Sequence, residues 1–250
     1  MAPFKIEIPI FTPLSSVPSL PPTARLELNA AGSYPSGGLT PPVPGTMPAP
    51  RPPVRVMIRP RGAPPSSPDF IYSPQELSSM LDSIRAFKAV LDPATDGFVF
   101  GVLEKSMQEG GGEGAGAKLD INTEANGRLV EEATPFGCTF HRAFDDALGA
   151  GLTVRDAVRD VLACGFDGIL TSGGPGNAVD NLGVVKEIVD AVDGRMDVLV
   201  GGGVRAANAA RILEAVGSAE RIWLHSSCLR KGTDEIDEEE LRALAAAAGQ

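Results

Sequence analysis

The run Thr139-Phe140-His141-Arg142-Ala143-Phe144-Asp145 ends an apolar stretch in an imidazole, a guanidinium and, three residues on, a carboxylate. Groups of these types can hold an anion and move a proton. The only other histidine, His225, closes a second apolar run, Arg221-Ile222-Trp223-Leu224-His225. Packing alone does not require both imidazoles of a chain to stand at the ends of apolar runs. His141 is therefore read as a general acid or base, and His225 as a ligand-binding group. Ser226 can donate a hydrogen bond, and Cys228 beside His225 offers a soft metal ligand. Thr171-Ser172-Gly173-Gly174 and Gly201-Gly202-Gly203-Val204-Arg205 close two further apolar runs. Glycines let backbone amides approach a ligand, and a following helix N-terminus adds positive charge, so Gly201, Gly202 and Gly203 form an expected anion site.

These residues need a scaffold that gathers strand ends. From residue 68 onward, apolar runs alternate with helical patterns. The runs cover 97–102, 137–141, 167–171, 197–200 and 222–225, and the helical patterns 73–91, 123–134, 153–164, 181–192, 205–216 and from 237 onward. Such alternation indicates parallel βα units. Three more strands are expected upstream, over 4–11, 24–29 and 54–59, which makes a single (β/α)8 barrel domain spanning 1–250. The first third departs from the plan, because 19 of the 22 prolines fall within residues 1–75. Proline breaks helix interiors, so the Pro-rich links 12–23 and 30–53 cannot hold full crossover helices. The helical ring is expected to be incomplete, with one wall covered by extended chain or left for a second copy of the protein. Residues 104–118 read as a Gly-rich, mobile insertion without chemistry.

Alternate residues of a barrel strand point inward. That places Lys5, Glu7 and Pro9, then Arg25, Glu27 and Asn29, then Arg55, Met57 and Arg59 inside, with Arg61 at the rim. Glu7 and Glu27 can neutralise Arg25 and Arg55. Five cations facing two acids leave an excess of three, which suggests an anionic ligand held by Arg59, Arg61 and Arg142. Thr171 and Ser172 join that set, and Asp145 or Glu27 is expected to orient His141. Strand spacing and tilt give a barrel roughly 15 Å across. The strands bearing the two histidines are then about 14 Å apart, a gap that inward-reaching side chains barely close for one ion with ~2.1 Å bonds. A small substrate spanning the mouth fits better.

The net charge of -10 argues against nucleic acid. No apolar run reaches the ~20 residues of a membrane span, and Lys5 and Glu7 interrupt the N-terminal stretch. Three widely spaced cysteines suggest no disulfide framework. The expectation is a cytoplasmic protein.

Several motifs, taken in order, resemble the CutC copper-homeostasis family. They are Arg25-Leu26-Glu27-Leu28, Gly37-Gly38-Leu39-Thr40-Pro41, Met57-Ile58-Arg59-Pro60-Arg61-Gly62, Asp69 to Ser73, Gly97 to Leu103, Thr139 to Asp145, Leu170 to Gly173, Gly201 to Val204 and His225-Ser226-Ser227. The resemblance implies a TIM-like barrel, a cytosolic location and copper handling, with copper as the implied ion. Cysteines proposed as copper ligands in that family fall where this chain has Pro9-Ile10 and Asn29. Three functions follow: a copper-handling protein, an enzyme acting on a small anionic metabolite, phosphorylated ones included, and a non-catalytic scaffold assembling through the uncovered wall.

Overall fold

The computed structural model describes residues 4–106, 118–217 and 220–249. Eight parallel strands close into a barrel: β1 Lys5–Ile10, β2 Ala24–Leu28, β3 Val54–Met57, β4 Gly97–Phe100, β7 Gly137–Phe140, β8 Gly168–Thr171, β9 Asp197–Val200 and β10 Ile222–His225. The closed order is β1-β10-β9-β8-β7-β4-β3-β2. Between β4 and β7 a hairpin of β5 Leu103–Ser106 and β6 Lys118–Ile121 stands outside the barrel. Most of the Gly-rich insertion 104–118 lies outside the described residues; its two ends are strands of this hairpin. Sequence reading missed both, because four-residue strands of mixed polarity carry no clear period.

The helices follow their caps. Helix α1 (Pro74–Lys88) begins with proline at the first helical position and a reciprocal Ser73–Glu76 capping box, and ends with Arg85 and Lys88 at its negative pole. Helices α2 (Thr123–Ala133), α4 (Val154–Ala163), α5 (Leu182–Val192), α6 (Ala206–Val216) and α7 (Glu238–Ala247) follow the expected plan. A seven-residue helix, α3 (Ala143–Gly149), was not anticipated; it turns the chain directly after His141 and Arg142. No helix among the described residues is long and apolar enough to cross a membrane.

The ring of helices is incomplete where the prolines require it. The β1–β2 link holds one 3-10 turn, Leu14–Ser16, and the β2–β3 link another, Tyr34–Ser36. The wall is nevertheless not bare. Outward residues Ile6, Ile8, Ile10, Leu26 and Leu28 are all buried, and Leu14, Val17, Leu20 and Met47 from the links pack against the core. Among the described residues, extended chain thus does the work of two helices on this wall, the first of the two coverings expected.

Inside the barrel the two halves differ. Toward β8–β10 the interior is apolar, with Leu170, Leu199 and Trp223 in contact. Toward β1–β3 it is charged. Arg25 stacks on Trp223 at 3.9 Å and donates to Glu7 at 2.5 Å, while Lys5 sits 5.1 Å above the same ring. Arg55 does not pair with Glu27 as expected; it reaches Asp167 at 3.3 Å. Two glycines make this possible. A Cβ at Gly97 would lie 2.2 Å from Arg55 Nη1, and one at Gly137 would lie 2.2 Å from Asp167 Oδ2.

Candidate functional site

Parallel strands deliver their C-terminal ends to one rim, and there a cavity of about 500 Å³ opens. Its wall includes Pro9 of β1, Glu27 of β2, Leu170 of β8 and His225 of β10. Arg59, Phe70, His141, Arg142 and the Gly202–Arg205 turn come from the loops that follow strands. Of the residues expected from sequence, Glu27, Arg59, His141, Arg142, Gly202, Gly203, His225 and Ser226 line it; Arg61, Asp145, Thr171, Ser172, Gly201 and Cys228 do not.

The floor is built by strand register. Glu7 stands beside Arg25 of β2 on one side and His225 of β10 on the other. Its Oε1 lies 2.9 Å from His225 Nδ1 and its Oε2 takes the Arg25 guanidinium. A carboxylate only accepts, so Nδ1 carries the proton and Nε2 of His225 is left for other partners. Burial works to raise the Glu7 carboxyl, but Arg25 and the His225 bond outweigh it and hold it at about 2. The same burial disfavours charge on His225, yet the Glu7 bond and the Glu27 carboxyl prevail and raise its pKa. Glu27 is pushed the other way. Burial, opposed by His225 and reinforced by Glu7, raises its carboxyl. Asn29 donates to Glu27 Oε1 at 3.0 Å, while Oε2 is buried with no protein partner among the described residues.

The rim departs from expectation in its charges. The surplus of guanidinium groups inferred from the strands is cancelled by acids from the following loop and helix. Arg59 Nη2 meets Asp69 at 2.5 Å, and Nη1 donates to Ser36 O and to Gly38 O. Arg61 Nε meets Glu76 at 2.6 Å, with Asp69 at 3.6 Å from its Nη1. Arg59 is thus a clamp between two rim loops, and Arg61 ties α1 to the rim away from the cavity. No sequence period marks Asp69, so its pairing could not be read from a pattern.

Asp145 also has a different task. It receives Thr171 Oγ1 at 2.5 Å, the Ser172 amide at 3.0 Å, Ser172 Oγ at 2.9 Å, the Gly174 amide at 3.1 Å and Arg142 Nε at 2.8 Å. It moulds the loop after β8 and does not orient His141. Thr171 and Ser172 are consumed in that loop, Thr171 Oγ1 also accepting from the Gly173 amide at 2.8 Å. Among the described residues Glu27 makes no hydrogen bond to His141 either; the ring is held by Ala143 and Phe70.

The glycines after β9 serve close approach. Gly202 and Gly203 have φ of 86° and 73°, and a Cβ on them would lie 2.8 Å from Ser172 Cβ and 2.5 Å from Asn177 Oδ1. Gly201 donates to Thr171 O at 2.8 Å inside the sheet. The turn ends in Arg205, which lines the cavity, makes no ion pair among the described residues and has a buried Nη1 without an acceptor. Sequence reading passed over Arg205; a cation closing a glycine turn was the available signal.

Cys228 is fully buried with Sγ 3.5 Å from Ser226 Oγ, and burial pushes its thiol up to about 11. His225, expected to share a metal with Cys228, instead hydrogen-bonds Glu7 through Nδ1 at 2.9 Å. Ser226 spends its hydroxyl on Val204 O at 2.7 Å. Among the described residues, the group whose ligand atoms approach closely enough to share a metal is Glu7, Glu27 and His225, all within 4.8 Å.

The CutC family profile matches residues 21–229. A mouse (Mus musculus) protein named copper homeostasis protein cutC homolog is 37% identical over 171 residues, 67% of this chain and 53% of that protein. The family protein CutC of Aliivibrio fischeri is 35% identical over 170 residues, 67% of this chain and 59% of that protein. The chain thus spans a little over half the length of these curated relatives. The crystal structure of CutC from Streptococcus agalactiae superposes with a TM-score of 0.66 at 23% identity, covering 90% of this chain and 98% of that one, a likeness of fold. By profile, relatives and barrel together, the chain belongs to the CutC family.

Proposed function

We propose that this cytoplasmic protein works through the barrel-mouth cavity, which binds a small anionic metabolite and supports proton transfer on it by Glu27 and His225. One observation carries the reading: Glu27 Oε2, His141 Nε2 and Arg205 Nη1 are buried without partners among the described residues, and all three residues line the same cavity. Buried polar atoms are almost always hydrogen-bonded, so three without a partner on one cavity point to a ligand. A volume of about 500 Å³ suits a small metabolite. Arg205 supplies a cation with no ion pair among the described residues, and Gly202 and Gly203 bring backbone without side chains to the wall. Glu7 holds His225 by Nδ1, which frees Nε2 to exchange a proton, as a carboxylate–imidazole pair does.

Direct copper binding is the second reading, favoured by the Glu7–Glu27–His225 group. Two carboxylates and an imidazole suit Cu(II) rather than Cu(I), which prefers thiolate and thioether. Both Glu7 oxygens are already engaged. Cys138, Cys164 and Cys228 are free and buried, with thiols shifted upward by burial. The residues present do not fit a Cu(I) thiolate centre.

Calorimetric titration of small carboxylates and phosphorylated metabolites into the protein, beside Cu(I) and Cu(II), separates the readings. Binding of an anionic compound that weakens at least tenfold in Arg205→Gln is expected. If no anion binds while Cu(II) binds tightly and is lost in Glu27→Gln, the metal reading replaces the first.

A further inference from the structure

The ring of His141 is held in one state by its surroundings. Its Nδ1 accepts the backbone N–H of Ala143 at 3.2 Å. A nitrogen that accepts carries no proton, so the neutral ring bears its hydrogen on Nε2. Burial, aided by the Arg59 guanidinium, pushes the pKa down to about 3 and keeps the ring uncharged at physiological pH. Gly101 allows the approach, since a Cβ there would lie 2.9 Å from Nδ1.

Phe70 completes the lock, with ring centres 4.6 Å apart. It sits at φ 62°, a conformation that phenylalanine rarely adopts. Asp69 Oδ1 accepts from its amide at 2.8 Å, and its carbonyl accepts from Leu103 N at 2.9 Å. What remains is a buried Nε2–H on the cavity wall with no acceptor among the described residues. An imidazole so fixed cannot accept a proton from a ligand; it can only donate a hydrogen bond. The general acid–base role expected for His141 therefore gives way to another.

Resting on the metabolite reading above, we infer that Nε2–H of His141 donates a hydrogen bond to the carbonyl oxygen of a small anionic carbonyl compound, and that the reaction is proton exchange at the carbon beside that carbonyl. Glu27 stands on β2, three strands from β7 in the closed order, so a ligand spanning the mouth meets both. The C–H proton passes to the Glu27 carboxylate, and the C–H electron pair becomes a C=C bond. The carbonyl π pair moves to oxygen, where the imidazole N–H stabilises the enolate charge. Return of a proton to carbon completes the exchange without any oxidant or reductant. A neutral imidazole kept from protonation is a known way to polarise such a carbonyl.

The test incubates the protein in D2O with pyruvate, 2-oxoglutarate, dihydroxyacetone phosphate and glyceraldehyde 3-phosphate, following loss of the C–H signals by NMR. Thermal shifts with the same compounds run in parallel. Exchange is expected with at least one compound, reduced a hundredfold or more in His141→Ala and partly restored in His141→Gln, which keeps an N–H donor. A 1H–15N spectrum of the wild-type imidazoles is expected to show the Nε2–H form of His141 unchanged from pH 5 to 8, and it carries the test alone should His141→Ala not fold. Titration of that ring in this range, an Nδ1–H form, or exchange indifferent to His141→Ala overturns the inference. So does absence of exchange from all four compounds. Thermal stabilisation without exchange would leave the anion-binding reading standing, whereas loss of both removes the two together.

Discussion

Asp145 offers the most demanding test of the structure, because sequence pattern and structure give it different work. It is 4% exposed, and its two oxygens serve the hydroxyls of Thr171 and Ser172, the amides of Ser172 and Gly174, and Arg142. Asp145→Ala strands two backbone amides and a threonine hydroxyl in the interior. A buried donor left unmade costs ~1–3 kcal/mol, so three give a ceiling near 9 kcal/mol. Water entering the vacated space recovers part of that, and ~3–5 kcal/mol is the usual cost of removing one partner from a buried charged network. Asp145→Asn keeps the shape but turns a donor toward donors, and about 2–3 kcal/mol is expected. Urea unfolding followed by circular dichroism measures both. In a melt, at roughly 2–4 °C per kcal/mol for a chain of this size, Asp145→Ala falls about 6–20 °C. A variant within ~1 kcal/mol of wild type would refute the loop-anchoring role. An orienter of His141 would instead leave stability nearly intact and change the imidazole's proton position.

Three further outcomes follow from the buried groups. The folded pKa of His141, about 3, lies below the ordinary 6.5, so its contribution is complete above pH 6.5 and drains as pH falls toward 3. That loss is roughly 1.4 kcal/mol per pH unit, and urea midpoints at pH 7.5 and 5 should converge between wild type and His141→Gln as acid is added; parallel pH dependence counts against it. Glu7, lowered from 4.5 to about 2, stabilises the fold above pH 4.5 and ceases to as pH drops through 2. Arg25→Met should cost ~3–5 kcal/mol by leaving the buried Glu7 charge with His225 as its remaining partner, with Glu7→Gln added to it recovering most of the loss; simple additivity of the two changes would disprove their coupling. Finally, the thiols of Cys138, Cys164 and Cys228 should react with a thiol reagent at pH 8 only after denaturant is added, since all three are buried. Rapid labelling of Cys228 in the native protein would contradict its placement.

The barrel itself was legible because its signals are local and repeated. Apolar runs of strand length, helices with caps such as Ser73–Glu76, and prolines crowded into two links each follow from backbone physics. The alternation Lys5-Ile6-Glu7-Ile8 assigns its faces without tertiary information, since a strand's period is two. Thus the inward placement of Glu7, Arg25, Glu27, Arg55 and Arg59 could be read from the chain.

Which charge meets which could not be read. Arg55 reaches Asp167, 112 residues away, through space left by Gly97 and Gly137. Asp69 and Glu76 cancel the guanidinium groups whose excess had suggested a ligand, and Arg205 lines the cavity without an ion pair among the described residues. His141 was visible as a residue at a strand end, but its proton's position depends on Ala143 N, Phe70 and Gly101 converging on one ring. Backbone periodicity and the placement of prolines thus determined the eight strands, the missing crossover helices and the polar lining. Pairing, protonation and the choice of free donor were decided only in three dimensions, because Coulomb and hydrogen-bond energies depend on distances of a few ångströms between residues that sequence order leaves far apart.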